Sequence, residues 1–318
     1  MTASRPRSNN TARKKRVLAK GYTKVPFLLE VLLGHFRRRD IRCPYCGNSI
    51  SRLVIRRSVL LECRKCPKCG IFWRHPKTLP LYLGKAYTIS TIGDDLTYLT
   101  PDPTELRRLM STSFVGTDKW FGEKIEIVKR YRSRGKLLDY GCSWGYGIWQ
   151  FKKAGFDVMG YEVCEARAEF GRRNMGVEIV SDVEQLESLP TGMFDIIFCH
   201  HVFEHLHDPY PVLERFKRLI NADGIVVIFS PNCEGLKNSE TAKIVCRRLL
   251  CEGHILGLTV DFFEKNLPKH GFRLIASEIF DYEWERSYFK MHPSEGKLLG
   301  AELMVIAVRE DAKYVESY

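Results

Sequence analysis

The sequence predicts an α/β protein with a doubly wound, mainly parallel sheet and a small cysteine-bearing module ahead of it. Three observations carry this reading. From Lys136 to Phe229, short apolar runs alternate with helical stretches, the pattern of strands covered on both faces by crossover helices. The first run ends in a glycine turn, Gly141-Cys142-Ser143-Trp144-Gly145, and well upstream stand two Cys-x-x-Cys pairs, Cys43/Cys46 and Cys66/Cys69. A chain of 318 residues, 44% apolar and 28% charged, is long enough for one sizeable core and an appendage, which excludes a disordered or collagenous chain. No apolar run approaches the ~18 residues of a membrane span.

Residues 1–24 are polar and basic with no apolar period, and are read as a disordered arm. Twelve Lys or Arg lie in residues 1–42 against only Glu30 and Asp40, so most of the net charge of +12 belongs to this leader and the body is nearly neutral. The Ser-, Asn- and Arg-rich start lacks the layout of a secretory signal, and a cytoplasmic address is expected. Pro26 opens a short apolar run to Phe36 that suits a helix docked on the body rather than on a membrane surface. Residues 25–80 are assigned to this helix and the cysteine module, and 81–117 to a Pro- and Thr-containing connector. Residues 118–318 form the α/β domain.

Within that domain a helix is expected from about Thr117 to Arg132. Strands follow at Leu137–Leu138, Val158–Tyr161, Val177–Val180, Asp195–Cys199 and Ile225–Phe229, with helices at Tyr146–Ala154 and Pro211–Ile220. Beyond Pro231 come helical stretches over 240–250 and near Thr259–His270, then strands around Arg273–Ile279 and Glu302–Val308.

Small residues at the glycine turn let the backbone approach a ligand while the next helix begins. The spacing is not Gly-x-Gly-x-x-Gly, which argues against a dinucleotide. Asp139 at the mouth would repel a pyrophosphate and suits a ligand carrying amino and sulfonium groups, as S-adenosylmethionine does. Glu162, 23 residues on at the end of the second strand, can accept both ribose hydroxyl protons of a nucleoside. Asp182, after the third strand, could meet the adenine amino group or stand as a solvated loop carboxylate. The carboxyl ends of successive strands are where open α/β sheets bind ligands.

Cys43-Pro-Tyr-Cys46-Gly and Cys66-Pro-Lys-Cys69-Gly are near copies of one knuckle, and four thiolates so arranged suit a structural zinc. Cys63 is left spare because Cys66 and Cys69 repeat the first knuckle's Pro and Gly. Four thiolates leave no open position for chemistry at that zinc.

The stretch Leu137–Gly145, then Gly160-Tyr161-Glu162, Phe194-Asp195-Ile196-Ile197, the run from His201 to Pro209, Leu219–Gly224 and Ser230-Pro231-Asn232, resembles the class I S-adenosylmethionine-dependent methyltransferases over roughly 119–310. The resemblance implies a Rossmann-like seven-stranded sheet whose last strand is antiparallel. It implies a cofactor-lining set of Asp139, Gly141, Cys142, Ser143, Gly145, Tyr146, Glu162, Val163, Asp182, His200 and His201. Ser143 stands where a Gly is common, a sterically conservative change. With the knuckles and the tyrosines Tyr82 and Tyr87, the chain resembles bacterial methyltransferases often linked to sugar and surface-polysaccharide chemistry. Less closely, it resembles a zinc-bearing ribosomal RNA guanine methyltransferase.

Four of the nine histidines, His200, His201, His205 and His207, follow the fourth strand, the expected wall between cofactor and acceptor. His205, next to Glu204, is the candidate base if a hydroxyl must shed a proton, with His201 beside it. His254 lies in the segment expected to close over the acceptor. No acidic triad accompanies the patch, so no metal is expected there. The favoured activity is methyl transfer to a hydroxyl, or a carbon, of a sugar or glycan precursor. The alternatives are an RNA methyltransferase gripping nucleic acid with the basic arm and knuckles, and a non-catalytic binding subunit of the same fold.

Overall fold

An antiparallel ribbon begins the ordered architecture, with strands β1 (Arg52–Arg56), β2 (Glu62–Lys65) and β3 (Phe72–His75). The computed structural model describes Leu32 and residues 41–56, 61–77, 100–250, 254–280 and 302–313. The basic arm, the expected helix over 26–36 except Leu32, Tyr82, Tyr87 and residues 81–99 of the connector lie outside the described residues. Helix α1 (Pro103–Ser111) falls within the connector range. Asp102 starts it by accepting from the Thr104 and Glu105 amides at 2.8 and 2.9 Å, with Pro103 in the first turn.

Helix α2 (Gly122–Tyr131) leads into the main sheet. Its elements are β4 (Lys136–Tyr140), α3 (Tyr146–Lys153), β5 (Asp157–Tyr161), α4 (Glu165–Met175), β6 (Glu178–Val180), α5 (Val183–Ser188), β7 (Phe194–His200), α6 (Tyr210–Leu219) and β8 (Ile220–Pro231). Then come α7 (Ala242–Leu249), β9 (Leu256–Gly257), α8 (Val260–Asn266), β10 (Phe272–Phe280) and β11 (Glu302–Arg309). The strand order is β10-β11-β8-β7-β4-β5-β6; β8 to β6 run parallel, and β11 is antiparallel to both β8 and β10. The expected seven-stranded sheet with a final antiparallel strand is present. Its order reverses between β4 and β7, and ligands bind beyond the strand ends at such a switch point.

Alternate residues of each central strand enter opposite cores. Leu138, Ile197, Ile228 and Val305 face one, which also takes in Cys43, Tyr45, Cys66, Cys69, Ile71 and Trp73. Leu137, Ile196, Val227 and Ile306 face the other, closed by α1, α2 and α3. The cysteine module is therefore packed onto the sheet's own core. β3 pairs with β9 from the second half of the chain, Asn266 donates to the Cys69 carbonyl at 2.8 Å, and Tyr45 meets His270 Nε2 at 2.7 Å. The other ring nitrogen of His270 bonds Glu214 on α6. Among the described residues, no helix is long and apolar enough to cross a membrane.

Candidate active site

The turn after β4 holds its shape by backbone geometry. Gly141 has φ +89°, and a Cβ there would meet Val202 Cγ2 at 2.2 Å, so only glycine fits. Ser143 also has a left-handed φ of +52°, so it is not the conservative substitution the sequence suggests: a side chain in this region is strained. Ser143→Gly is expected to raise stability by about 0.5–1 kcal/mol, the relief of left-handed strain less the added chain entropy of glycine. Thermal unfolding checks this, and a lowered midpoint would mean that the serine hydroxyl contributes more than its backbone strain costs.

The Ser143 amide donates to Glu162 Oε2 at 3.0 Å and the Cys164 amide to Oε1 at 2.9 Å. These bonds hold the buried carboxylate at the end of β5, with Arg167 at 3.9 Å. Each oxygen keeps a lone pair for a ribose hydroxyl. Cys142 and Tyr146 turn their side chains into the core, Tyr146 against Trp144 at 4.9 Å and Phe121 at 5.5 Å between ring centroids. Any contact from Cys142 to a ligand therefore comes from its main chain. Val163 is exposed, and Asp182 caps α5 by accepting from the Glu184 amide at 2.8 Å.

Asp139 is 3% exposed, and burial, aided by the Glu162 charge, pushes its carboxyl up to about 8. In the free protein it is protonated at neutral pH, so the pyrophosphate repulsion argued from sequence is weak until a cation arrives. A cationic ligand beside it drives the proton off, which links binding to pH. S-adenosylmethionine affinity is accordingly expected to tighten from pH 6 towards 8, by up to about tenfold per unit, the limit for one released proton. Calorimetry in buffers of different ionisation heat reads the proton, and a pH-independent affinity would remove Asp139 from the site.

Across the switch point, β7 delivers His200 and a turn carries His201, Glu204 and His205. His201, at a strained φ of +53°, lies with Nδ1 3.0 Å from Glu204 Oε1 and Nε2 2.8 Å from Glu302 Oε1. His200 Nε2 is 2.9 Å from that same Glu302 oxygen, and Lys124 Nζ is 3.2 Å from the other. Burial opposes charge on His201, but the hydrogen bonds to Glu204 and Glu302 prevail and raise it to about 10. Burial and the His201 charge push His200 down to about 3. Burial would raise Glu204, yet the His201 hydrogen bond holds it at about 2. His201 is thus an imidazolium clamped between two carboxylates, a positioning element and a poor base.

His205 and His254 meet edge to face with ring centroids 4.7 Å apart, each Nε2 3.9 Å from Glu204 Oε1. His207 stands apart, pushed down to about 4 by burial and the nearby Lys77 and Arg74 charges. Glu302 and Lys124 had no signal in the sequence. Glu302 begins a strand about a hundred residues beyond the histidines, and only the β11 to β8 pairing brings it in. The histidine patch therefore does have acidic company.

The four knuckle sulfurs converge, Cys43 with Cys69 at 3.4 Å and Cys46 with Cys66 at 3.6 Å. These separations are near the about 3.8 Å edge of a tetrahedron with zinc–sulfur bonds of about 2.3 Å. The two turns are superimposable in bonding: Cys43 N to Asn48 O and Cys66 N to Ile71 O at 2.9 Å, Gly47 N to Cys43 O and Gly70 N to Cys66 O at 3.0 Å. A hydrogen bond with Cys69 lowers the Cys43 thiol to about 5. Cys63 is directed elsewhere, buried in a cluster with Cys233 and Cys246. The donor set fits a closed, thiolate-bound structural ion.

The strand order and crossover helices are those of a Rossmann-like methyltransferase fold with a mixed seven-stranded sheet. Residues 138–228 match the family model described as "Methyltransferase domain". The chain is 29% identical over 104 residues to a ubiquinone biosynthesis O-methyltransferase of Acinetobacter baumannii, a stretch covering 30% of this chain and 44% of that one. It thus spans less than half the length of that curated relative. Among solved structures, an S-adenosylmethionine-dependent methyltransferase from Archaeoglobus fulgidus aligns at TM-score 0.48 and 20% identity, covering 65% of this chain and 99% of that one. Geranyl diphosphate C-methyltransferase from Streptomyces coelicolor A3(2), with Mg2+, geranyl diphosphate and S-adenosyl-L-homocysteine, aligns at 0.48 and 10% identity, covering 69% and 90%.

Proposed function

We propose that the protein transfers a methyl group from S-adenosylmethionine to a hydroxyl of a sugar or glycan precursor, in a reducing, cytoplasmic compartment. The observation that carries the reading is the juxtaposition at the switch point. The Asp139 and Glu162 carboxyls lie on one side, and the His201, Glu204, His205 and His254 group stands on the other, at the ends of β4, β5 and β7. S-adenosylmethionine supplies a methyl carbon already activated by its sulfonium, so catalysis depends chiefly on holding nucleophile, carbon and sulfur in line.

In this reading Glu162 holds the ribose, Asp139 the cationic methionine end, and the turn Gly141–Gly145 the backbone side of the ligand. His201 fixes Glu204, and the His205 and His254 wall receives the acceptor, where its hydroxyl loses a proton. Zinc held by Cys43, Cys46, Cys66 and Cys69 cross-links the module that packs beneath this wall. The O-methyltransferase name of the relatives supports oxygen as the acceptor atom, and the knuckle arrangement supports the sugar class.

The test incubates the full chain with methyl-labelled S-adenosylmethionine and an extract separated into RNA, polysaccharide and small-molecule fractions. Label is expected in nuclease-resistant glycan or nucleotide-sugar. Label in nuclease-sensitive material would replace the proposal with RNA methylation through the basic arm, and no label in any fraction would favour the binding-subunit reading.

A further inference from the structure

The histidine patch contains two groups of three potential ligands, and their geometries differ in kind. In the first, His200 and His201 sit 2.9 and 2.8 Å from Glu302 Oε1, direct hydrogen-bond distances, and Lys124 lies 3.2 Å from the second oxygen. That carboxylate already has its cations. In the second, Glu204 Oε1 lies 3.9 Å from both His205 Nε2 and His254 Nε2, beyond a hydrogen bond, with the three ligand atoms all within 4.8 Å of one another. Atoms bound tetrahedrally at about 2.0–2.1 Å stand about 3.4 Å apart, so each of the two Glu204–imidazole separations would contract by about half an ångström on an ion.

Glu204 is 1% exposed, and its Oε2 has no hydrogen-bond partner among the described residues. A buried carboxylate oxygen without a partner is costly; it neighbours Oε1, the oxygen that faces the two imidazoles, and an ion held by both oxygens would satisfy it. The scaffold is firm: His201 Nδ1 pins Oε1 at 3.0 Å, and the Ile255 amide donates to the Glu204 carbonyl at 2.7 Å, bringing His254 onto the same group. A metal-binding carboxylate is commonly oriented by such an outer hydrogen bond.

We infer that Glu204, His205 and His254 form a second metal site, distinct from the four cysteines, that takes a divalent transition-metal ion of the zinc or iron class. Two imidazoles and one carboxylate suit such ions and not calcium or magnesium, which prefer all-oxygen shells. Three protein ligands leave a position open, the arrangement of a catalytic site. The metal site itself stands apart from the proposed activity; its role in transfer rests on that reading. There, the acceptor hydroxyl occupies the open position and the ion lowers its pKa. The proton leaves to solvent, the O–CH3 bond forms as the C–S bond breaks, and the sulfur departs with the electron pair as a neutral thioether. His205 then serves as a ligand, and no protein base is needed.

Cobalt(II) added to the metal-free full chain tests this in the visible spectrum, because thiolate-to-cobalt charge transfer reports the knuckles and ligand-field bands without it report a nitrogen and oxygen site. Two classes of site are expected. His254→Ala and Glu204→Gln should each weaken the second class at least tenfold and leave the charge-transfer class intact, while Cys66→Ser should do the reverse. Circular dichroism and S-adenosylmethionine binding confirm that the variants fold, with His254→Gln as the milder substitution if alanine does not. Binding of cobalt only with thiolate character, or a second class unmoved by His254 substitution, overturns the site. A filled second site in a chain that labels no fraction overturns methyl transfer but leaves the metal site standing.

Discussion

Glu162→Ala is expected to weaken S-adenosylmethionine binding more than a hundredfold while the sheet stays folded. Hydrogen bonds to a charged group contribute about 1.5–3 kcal/mol each, and the proposed ribose contact has two of them. The same carboxylate accepts the Ser143 and Cys164 amides at 3.0 and 2.9 Å, so alanine also releases the turn proposed to cradle the ligand. The fold should tolerate this, because Glu162 is a buried acid whose ionisation burial itself opposes, and removing it offsets part of the loss. S-adenosylhomocysteine, which shares the ribose, should lose affinity in parallel. Unchanged affinity for both, measured by calorimetry, would sink the ribose assignment. Glu162→Gln should fall between, since its amide keeps one acceptor and turns an N–H towards another N–H.

Loss of a knuckle thiolate should have the largest effect on stability. Cys66→Ser is expected to cost at least about 3 kcal/mol, because structural zinc sites contribute about 10–16 kcal/mol of binding free energy that appears as folding energy. The damage should spread beyond the module. Cys43, Cys66, Cys69 and Trp73 share a core with Ile197, Ile228 and Leu303 of the main sheet. β3 also pairs with β9, directly after His254 and Ile255. A chelator should lower the thermal midpoint of the native chain, and the Cys66→Ser midpoint should no longer respond to it. Cys63→Ser should still respond, since Cys63 lies in a different cluster with Cys246. Equal chelator sensitivity in native and Cys66→Ser chains would exclude Cys66 as a ligand.

Much of this architecture is legible along the chain because its causes are local. The alternation of β4, β5, β6, β7 and β8 with helices follows from apolar runs of strand and helix length. The knuckles follow from two copied pentapeptides, whose backbone bonds match closely in space. The glycine turn and Glu162 are legible because the chain visits one strand end after another in order. Ser143 misleads because its φ of +52° is invisible in the residue name. Asp139 misleads because its charge depends on burial, which a sequence position does not disclose.

The sequence alone determined the class of fold, the four sulfurs and the strand-end carboxyls, since each depends on periodicity or on spacing within a short segment. Tertiary structure alone decided that the cysteine module joins the sheet's core, through Tyr45, His270 and the β3 to β9 pairing. It also decided that Glu302 and Lys124 complete the histidine network, and that His254 comes to face Glu204 and His205. These groups are far apart in the chain and meet only when antiparallel β11 and the β9 segment close on β8 and β3. Contacts set by strand pairing over such distances leave no local pattern to read.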